Sequence, residues 1–439
     1  MGWIPGLALL LGLSTVAPLV QAPTPVGAAE TPSGLGNIDP ACAGGHGLQI
    51  RAKRAGIIQD LQLVSQSPTR TLVGFLEVRD PYSPYEKVIE PFAIYAIGPH
   101  CRVERGFGFR GVVRPHLPNG RPSWDINGID ALHGGGFVVT ADDRRSWWIG
   151  RFNPDGSVDR FFGSDGWVPL LPPGAQSQYQ YPNVVSVVEE PSGELIAAGN
   201  DARPHADTLS FALAVTPGGR PDLSWGHDGY VRLFGSAAYV GQLVELPDGV
   251  VVAVGNIGGG GYFTTLVKVL GPSGQPIPRL AANLYHFVTP VGHGGTEDSV
   301  FVPTWGGGLA SVEQVDLSER AIAAVTSSEL GPDPDYGVVG AADLRLTGRH
   351  PSLSSAVQVG DGDLVVSSYG PGGDLDFQDL SSAGEPLLGF GHHGSVQLHL
   401  PGGQLSDAAD LIGPVSGTRD DFVYAFSSGI VVHVIARVG

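Results

Sequence analysis

The chain has 439 residues, of which 66 are glycine and 36 proline, and its formal net charge is −18. Glycine and proline recur throughout, which excludes long amphipathic helices. The negative charge argues against a nucleic-acid-binding protein, because such proteins need a basic surface to contact phosphates. Hydrophobic residues make up 42% of the chain, enough for a sizeable core, so the chain is not disordered.

The N-terminal segment, residues 1–29, is predicted to be a signal peptide. Its apolar run, from about Leu7 to Val20, is too short and too interrupted by proline to cross a membrane. The small residues at 26–29 provide a signal-peptidase site, although the cleavage position within the segment stays open. We therefore expect a secreted protein without membrane insertion, in which residues 30–439 form the mature domain.

Two cysteines, Cys42 and Cys101, are present, and both fall in the predicted mature chain. An even pair of cysteines in an exported protein predicts one disulfide bond. Two cysteines without a nearby run of histidines are too few for a zinc site.

A glycine motif recurs along the chain. The pattern aromatic-Gly-x-x-Gly, called the signature below, occurs at 107–111, 162–166, 225–229, 336–340 and 390–394, and its closing glycines are 55, 63, 111 and 54 residues apart. The gap of 111 is two periods, with a degenerate copy at 276–288, and a further copy lies at 38–50. Seven copies at this period indicate a repeated supersecondary unit.

Each unit reads as four strands joined by turns. In residues 184–233, a β-branched run meets a Pro-Ser-Gly turn, and a second strand, a polar loop, a third strand, a Pro-Gly-Gly turn and the signature strand follow. Four-stranded antiparallel units in series are typical of a β-propeller. The sequence predicts an all-β fold: a single seven-bladed β-propeller of four-stranded antiparallel blades, its ring closed by the N-terminal strand. That strand should pair with the last segment of the chain and remove two exposed edges.

The signature has a structural interpretation. Glycine permits a bend at positive φ where a side chain would clash. The preceding aromatic residue can then turn inward and fill the wedge between neighbouring blades. We therefore expect the aromatic residues and glycines of the signature to be structural.

Two segments resemble the delta-60 repeat family. They are GRFNPDGSVDRFFGSDGWVPL, beginning at Gly150, and AVTPGGRPDLSWGHDGYVRLF, beginning at Ala214, each followed by an apolar strand, a turn and LIAAGN or VVAVGN. The resemblance covers about 118–270 and 385–400. It implies bacterial, often exported repeat proteins that form propellers, without a generally assigned activity and without catalytic residues to transfer.

No catalytic, cofactor-binding or metal-binding residue is predicted. Asp374, Asp376 and Asp379 have an acidic spacing that could hold calcium, but the intervening residues break the established calcium-loop pattern. We expect these aspartates to form turns and to be solvated, with calcium as the alternative. His227 and His393 both stand within two residues before a closing glycine, and a repeated position indicates structure rather than a unique site.

Two classes of function remain open. The first is a secreted, monomeric binding or interaction module whose partner is an extracellular protein, a glycan or a small molecule. The second is a propeller-type enzyme, a lyase or a quinone-dependent dehydrogenase, with a site at the channel mouth. The enzyme requires histidine, arginine and acidic groups from several blades to converge with shifted pKa values. Fold alone does not separate the two classes.

The predicted binding surface is the face that carries the long loops. The first and third turns of each unit are short and uniform, whereas the loops on the other side differ between repeats, and such loops usually carry recognition. Tyrosine and arginine are frequent at binding hot spots. The predicted contact residues are Tyr82, Tyr85, Arg144, Arg145, Tyr179 and Tyr181.

Overall fold

The computed structural model describes part of the chain. The described residues are 42, 47–51, 57–67, 69–78, 88–118, 125–142, 147–170, 181–202, 209–235, 238–246, 249–259, 262–281, 296–315, 319–346, 351–359, 362–370, 374–399, 411–412, 422–428 and 431–437. No helix among them is long and apolar enough to span a membrane.

The described residues form an all-β structure of short antiparallel strands. In chain order these are β1 Leu48–Arg51, β2 Ile57–Ser67, β3 Arg70–Val78, β4 Val88–Gly98, β5 Arg102–Val103, β6 Val112–Val113, β7 Asp125–Ala131, β8 Phe137–Asp142, β9 Trp147–Phe152, β10 Trp167–Leu170, β11 Tyr181–Glu189, β12 Leu195–Ala202, β13 Leu209–Val215 and β14 Tyr230–Arg232. They continue with β15 Ala238–Leu246, β16 Val250–Gly259, β17 Tyr262–Leu270, β18 Thr296–Pro303, β19 Leu309–Val315, β20 Arg320–Val325, β21 Ala341–Arg345, β22 Ser352–Val359, β23 Asp363–Tyr369, β24 Asp374–Leu380, β25 Ser395–His399, β26 Leu411–Ile412, β27 Phe422–Ser428 and β28 Val431–Arg437.

Consecutive strands pair into sheets. Sheet 1 contains β2–β6, sheet 2 β7–β10, sheet 3 β11–β14, sheet 4 β15–β17, sheet 5 β18–β21 and sheet 6 β22–β25, while β26–β28 pair with β1 in sheet 7. The innermost strand of each of sheets 1 to 6 contacts the innermost strand of the following sheet. The sheets are therefore the blades of a β-propeller, as the repeats predict.

The predicted seven four-stranded blades are wrong. Six blades have four strand positions, and sheet 1 is one of them because its outermost position is divided between β5 and β6, which both pair with β4. Sheet 4 has only β15, β16 and β17 among the described residues. The structure thus has six four-stranded blades, not seven.

The degenerate signature copy explains the smaller sheet 4. Other blades continue from the third turn into the signature and a fourth strand, but here residues 278–281 form a helical turn. At the positions of the signature this copy has neither the aromatic residue nor the two glycines. The remainder of the copy, residues 282–288, lies outside the described residues.

The N-terminal strand β1 pairs with β28 in an antiparallel register, with Leu48 opposite Val434 and Arg51 opposite Val431. In the same region the predicted disulfide joins Cys42 to Cys101, whose Cα atoms are 4.8 Å apart. Both sulfur-bearing side chains are buried in a core that includes Ile50. The disulfide prediction is confirmed, whereas closure of the ring by β1 stays a prediction.

The signature has the structural role that the sequence indicates. All five aromatic side chains are at most 2% exposed: Phe107, Phe162, Trp225, Tyr336 and Phe390. Phe107 of sheet 1, for example, lies 5.8 Å from Phe137 of sheet 2, measured between ring centroids. Gly163 and Gly166 adopt φ values of 57° and 89°, a region that side chains other than glycine rarely enter. The aromatic residue therefore fills the wedge between blades.

The same glycines join neighbouring blades through the backbone. The first glycine of a signature donates its N–H to a carbonyl in the third turn of the next blade: Gly108 to Asp155 at 2.7 Å, Gly163 to Gly218 at 3.1 Å, Gly226 to Ser273 at 2.8 Å and Gly337 to Ala383 at 2.8 Å. Because this turn approaches so closely, its own last residue is glycine in these four places. A Cβ on Gly219 would lie 2.2 Å from the backbone nitrogen of Gly163.

We predict that Gly219→Ala destabilises the protein by about 2 to 5 kcal/mol, combining left-handed strain with a clash against fixed backbone. Gly193→Ala is the matched control, since Gly193 has a φ of +80° but its Cβ would meet nothing closer than Pro217, at 3.5 Å. Its cost should be about 1 to 2 kcal/mol. Denaturant unfolding measures both variants, and equal losses would show that the inter-blade approach is not tight.

Ring closure by β1 predicts that removal of residues 37–53 lowers the free energy of unfolding by more than loss of the disulfide alone. The strand contributes ladder hydrogen bonds and covers the edge of β28, in addition to carrying Cys42. The control is the Cys42→Ser/Cys101→Ser double variant, which keeps the strand. If calorimetry gives both proteins the same melting temperature, β1 does not close the ring.

Candidate functional site

The first and third turns of the blades lie on one face of the propeller. In sheet 3 a side chain on Gly193, in the first turn, would touch Pro217 of the third turn, and in sheet 4 Gly249 has the same relation to Pro272. We call this side the first-turn face. Its inner part is formed where the innermost strands end, so turns of neighbouring blades meet there.

An acidic group with one imidazole occupies this inner part. His133, in the first turn of sheet 2, lies between two carboxylates: its Nδ1 is 3.5 Å from Oε2 of Glu189, and its Nε2 is 3.5 Å from Oε2 of Glu245. The His133 backbone N–H also donates to Glu189 Oε2 at 2.5 Å. Glu189 ends β11 and Glu245 lies near the end of β15, so the contacts join sheets 2, 3 and 4.

Glu190 and Glu194 extend this group, and together the five residues are called the His133 cluster. The Glu190 residue is 4% exposed, and its Oε1 has no hydrogen-bond partner among the described residues. Burial, with a smaller contribution from the charge of Glu245, raises the pKa of Glu190 to about 7. Burial, together with contacts to Asp222 and Glu190, raises the pKa of Glu194 to about 7.

The pKa of Glu245 is also raised. Burial is the main cause and the charge of Glu189 adds to it, while His133 acts in the opposite direction. The His133 side chain is 61% exposed, so this part of the cluster is open to solvent. The cluster therefore combines an accessible imidazole, carboxylates that can hold a positive charge and buried carboxyls that exchange protons near neutral pH.

The cluster can accept hydrogen bonds and exchange protons. In the described part of the chain no group of three His, Cys, Asp or Glu side chains is arranged to hold a metal ion. A ligand ammonium or guanidinium group is a donor that carboxylates accept strongly. Carboxyls with pKa values near 7 also meet a requirement of general acid-base chemistry.

The residues predicted for the opposite face are not brought together by the described structure. Tyr82, Tyr85, Arg144, Arg145 and Tyr179 lie outside the described residues. Tyr181 is the first residue of β11, where its backbone pairs with Ala202. Binding on the long-loop face stays a prediction.

The predicted acidic and histidine patterns have separate positions. Asp374 and Asp376 are two residues apart on β24 and share one side of the sheet, whereas Asp379 points to the other. Asp376 and Asp379 are each 4% exposed and lie on a strand, so the expectation that these aspartates form turns and are solvated is wrong for these two, and calcium stays the alternative. His227 is exposed, with its Nδ1 3.3 Å from Asp228 Oδ2, while His392 and His393 pack edge to face.

The His133 cluster was missed by sequence reasoning. Its members stand beside short turns of uniform appearance, and Glu189 and Glu245 are far apart in the chain. One signal was available: the first turns of two consecutive repeats carry acids, in EEPSGE and ELPDG, while the preceding repeat carries LHGGG. When the three turns are aligned by their glycines, the histidine of one repeat and the acids of the next two are placed near one another.

No protein-family model and no curated protein matches the sequence. Among solved structures, the α-L-arabinanase of Penicillium chrysogenum with arabinobiose is 16% identical, with a TM-score of 0.43, covering 71% of this chain and 92% of that one. Drosophila Plexin A in complex with Semaphorin 1b is 9% identical, with a TM-score of 0.44 and coverages of 94% and 88%. The PQQ-bound aldose sugar dehydrogenase of Streptomyces coelicolor is 13% identical, with a TM-score of 0.38 and coverages of 72% and 97%. These likenesses carry no argument about function.

The pKa of Glu190 generates a prediction about stability. Because its pKa rises from the ordinary 4.5 to about 7 in the folded state, folding favours the protonated form. This contribution is complete below pH 4.5 and is lost as the pH rises through about 7. Glu190→Gln removes the ionising group, so the variant should be more stable than the parent at pH 8, by about 1 to 3 kcal/mol.

Denaturant unfolding at pH 5 and pH 8 measures this difference. Glu385→Gln, on an exposed turn, is the control and should leave the change between the two pH values as it is in the parent. A parent-like pH dependence in Glu190→Gln would contradict the prediction.

Proposed function

We propose that the protein is an exported β-propeller binding module whose ligand presents a protonated amine or guanidinium group to the His133 cluster. The observation that carries this proposal is the convergence of carboxylates from neighbouring blades, one of which, Glu190, is buried with an oxygen that lacks a hydrogen-bond partner among the described residues. A cationic group bound beside this carboxyl would stabilise its ionised form. Glu189 and Glu245, now held by the exposed His133, are the further acceptors.

The overall charge supports this assignment. At −18 the chain attracts cations over distance, and carboxylates at the mouth of a propeller concentrate that field. Attraction over distance increases the rate of encounter, whereas the geometry of the cluster determines which cation is retained.

Export and family membership belong to the same proposal. The disulfide between Cys42 and Cys101 is typical of an oxidising compartment. Together with the apolar segment at 1–29 it supports secretion with removal of a signal peptide, and the recurrent signature supports membership of the delta-60 repeat family. N-terminal sequencing of the exported protein tests both the export and the cleavage site.

A second function, a propeller-type lyase or quinone-dependent dehydrogenase, is favoured by one observation. Glu190 and Glu194 have pKa values of about 7 in a cluster with an imidazole, as acid-base catalysis requires. Dye reduction with aldoses and added PQQ, and ultraviolet detection of unsaturated uronates, test the two reactions. If either reaction is detected and Glu190→Gln abolishes it, the enzymatic function replaces the binding proposal.

The binding proposal is tested with L-argininamide and L-citrullinamide as probes, both Nα-acetylated so that they differ only in the charge of the guanidinium group. Calorimetric titration should give a dissociation constant about tenfold or more lower for L-argininamide, because charge-assisted hydrogen bonds are stronger than neutral ones. Glu189→Gln/Glu245→Gln should abolish that preference. A protein that binds both probes equally, or neither, contradicts the proposal.

The matched control is Glu319→Gln/Asp343→Asn. It removes the same number of acidic charges from exposed positions that pair with Arg345 and Arg320, on another part of the propeller. Long-range attraction falls equally in both double variants, so only the loss of specific contacts distinguishes them. Equal weakening of L-argininamide binding in both would mean that net charge alone attracts the probe.

A further inference from the structure

A second candidate site lies at the outer edge between sheets 1 and 2. A cleft with a volume of about 600 Å³ opens there, within the usual size range of small-molecule sites. Phe109 and Val113 line it from sheet 1, and Phe152 and Val158 from sheet 2. Phe109 belongs to the signature copy at 107–111, but unlike the buried Phe107 its side chain is 74% exposed.

The cleft is a repeated feature of the scaffold, which allows a comparison between copies. Between sheets 5 and 6 the same turn geometry forms a cleft of about 520 Å³. The two copies are aligned by placing Gly337 on Gly108. In that alignment Val338 corresponds to Phe109, and Asp343 corresponds to Arg114. The scaffold explains the existence of both clefts, but it does not explain their opposite charges.

Positive charge is concentrated at the first cleft, against the net charge of −18. Arg114 and His116 line it, and the guanidinium carbon of Arg110 lies 5.2 Å from the centre of the Phe109 ring. Among the described residues neither Arg110 nor Arg114 has a carboxylate within ion-pair distance. By contrast, Asp343 in the other cleft pairs with Arg320 at 2.6 Å.

One acidic group, Asp155, also lines the cleft. Its Oδ1 accepts hydrogen bonds from the backbone N–H and the hydroxyl of Ser157, at 2.9 and 2.6 Å. These bonds lower its pKa, so it stays ionised, and they hold it within its own turn. Its charge opposes a single guanidinium and leaves the cleft net positive.

We propose that this cleft binds a small amphiphilic anion. The aromatic or aliphatic body of the ligand packs on Phe109 and the apolar walls, and its carboxylate or sulfonate contacts Arg114 and Arg110. An exposed aromatic ring covered by an arginine offers both surfaces with little loss of side-chain freedom on binding. The site is independent of the His133 cluster, which lies at the inner ends of the blades and takes the opposite charge.

The probes for this site are 1-naphthoate, uncharged 1-naphthalenemethanol and cationic 1-naphthylmethylamine, which share one ring system. Calorimetric titration should show the highest affinity for 1-naphthoate, a lower one for 1-naphthalenemethanol and the lowest for 1-naphthylmethylamine. Arg110→Gln/Arg114→Gln should weaken 1-naphthoate by about 10- to 100-fold and bring it to the level of the alcohol. Phe109→Ser should weaken the binding of all three probes.

The segment just before the neighbouring signature supplies controls of the same residue types. Arg160→Gln and Phe161→Ser change an arginine and a phenylalanine next to that signature, and Phe161 is 95% exposed but does not line this cleft. They should leave 1-naphthoate binding unchanged, as should Glu189→Gln/Glu245→Gln. Apart from Glu189, whose side chain is 7% exposed, the substituted side chains are exposed or half-buried, and unchanged melting temperatures verify the folds.

Three results would overturn the proposal. The first is 1-naphthoate binding no more tightly than 1-naphthalenemethanol, and the second is equal weakening by the Arg160 and Arg110/Arg114 variants. The third is binding of heparin without binding of 1-naphthoate, which would indicate a surface for a polyanionic chain rather than a small-molecule site.

Discussion

The structure depends on the close approach of the third turn of a blade to the signature of the blade before it, a contact that four pairs of neighbouring blades make. The turn glycine leaves room for the two backbones to touch, and the signature glycine then donates its N–H across the gap. A side chain at either place separates the blades and exposes the aromatic residue packed beneath. Because the contact is made from backbone atoms, it tolerates any sequence outside these few positions. The repeats can therefore diverge while the scaffold is kept.

The contact also explains which part of the fold could be predicted. The intact signature copies fix the burial of their aromatic residues and the turn geometry, and these are local properties that the sequence shows directly. The sequence of the degenerate copy at sheet 4 does not show which residue replaces the missing signature aromatic. Leu330 stands at the turn position where four other blades have glycine, adopts a φ of 58° and is fully buried beside Phe301 and Leu246. A leucine in the following blade thus fills space where the signature aromatic is missing, a compensation between repeats that spacing alone does not reveal.

Amide side chains add a second connection between blades, nearer the axis. Asn200 on β12 both donates to the carbonyl and accepts from the N–H of Val240 on β15, each at 2.8 Å. Gln314 on β19 makes the same pair of bonds between sheets 5 and 6. It donates to the carbonyl of Pro351 and accepts from the N–H of Leu353. The sequence repeats the asparagine in LIAAGN and VVAVGN, but it gives no partner for it. Long-range pairs of this kind, like His133 with Glu245, exist only once the blades are arranged side by side.

At both candidate sites the functional side chains occupy positions that the repeated backbone contacts leave free to vary. In the His133 cluster the free positions flank the first turns at the inner ends of the blades. In the cleft beside Phe109 they follow the signature glycines at the outer edge. In both, the turns are of the kind that recurs from blade to blade, and the charge differs between copies. The net charge of the chain is −18, yet two arginines without a carboxylate partner among the described residues stand at one copy of a repeated cleft, and acids surround one histidine in another region. The charges are therefore arranged by site. Uniform charging for solubility would not separate them in this way, because solubility depends on the net charge and not on which repeat carries it.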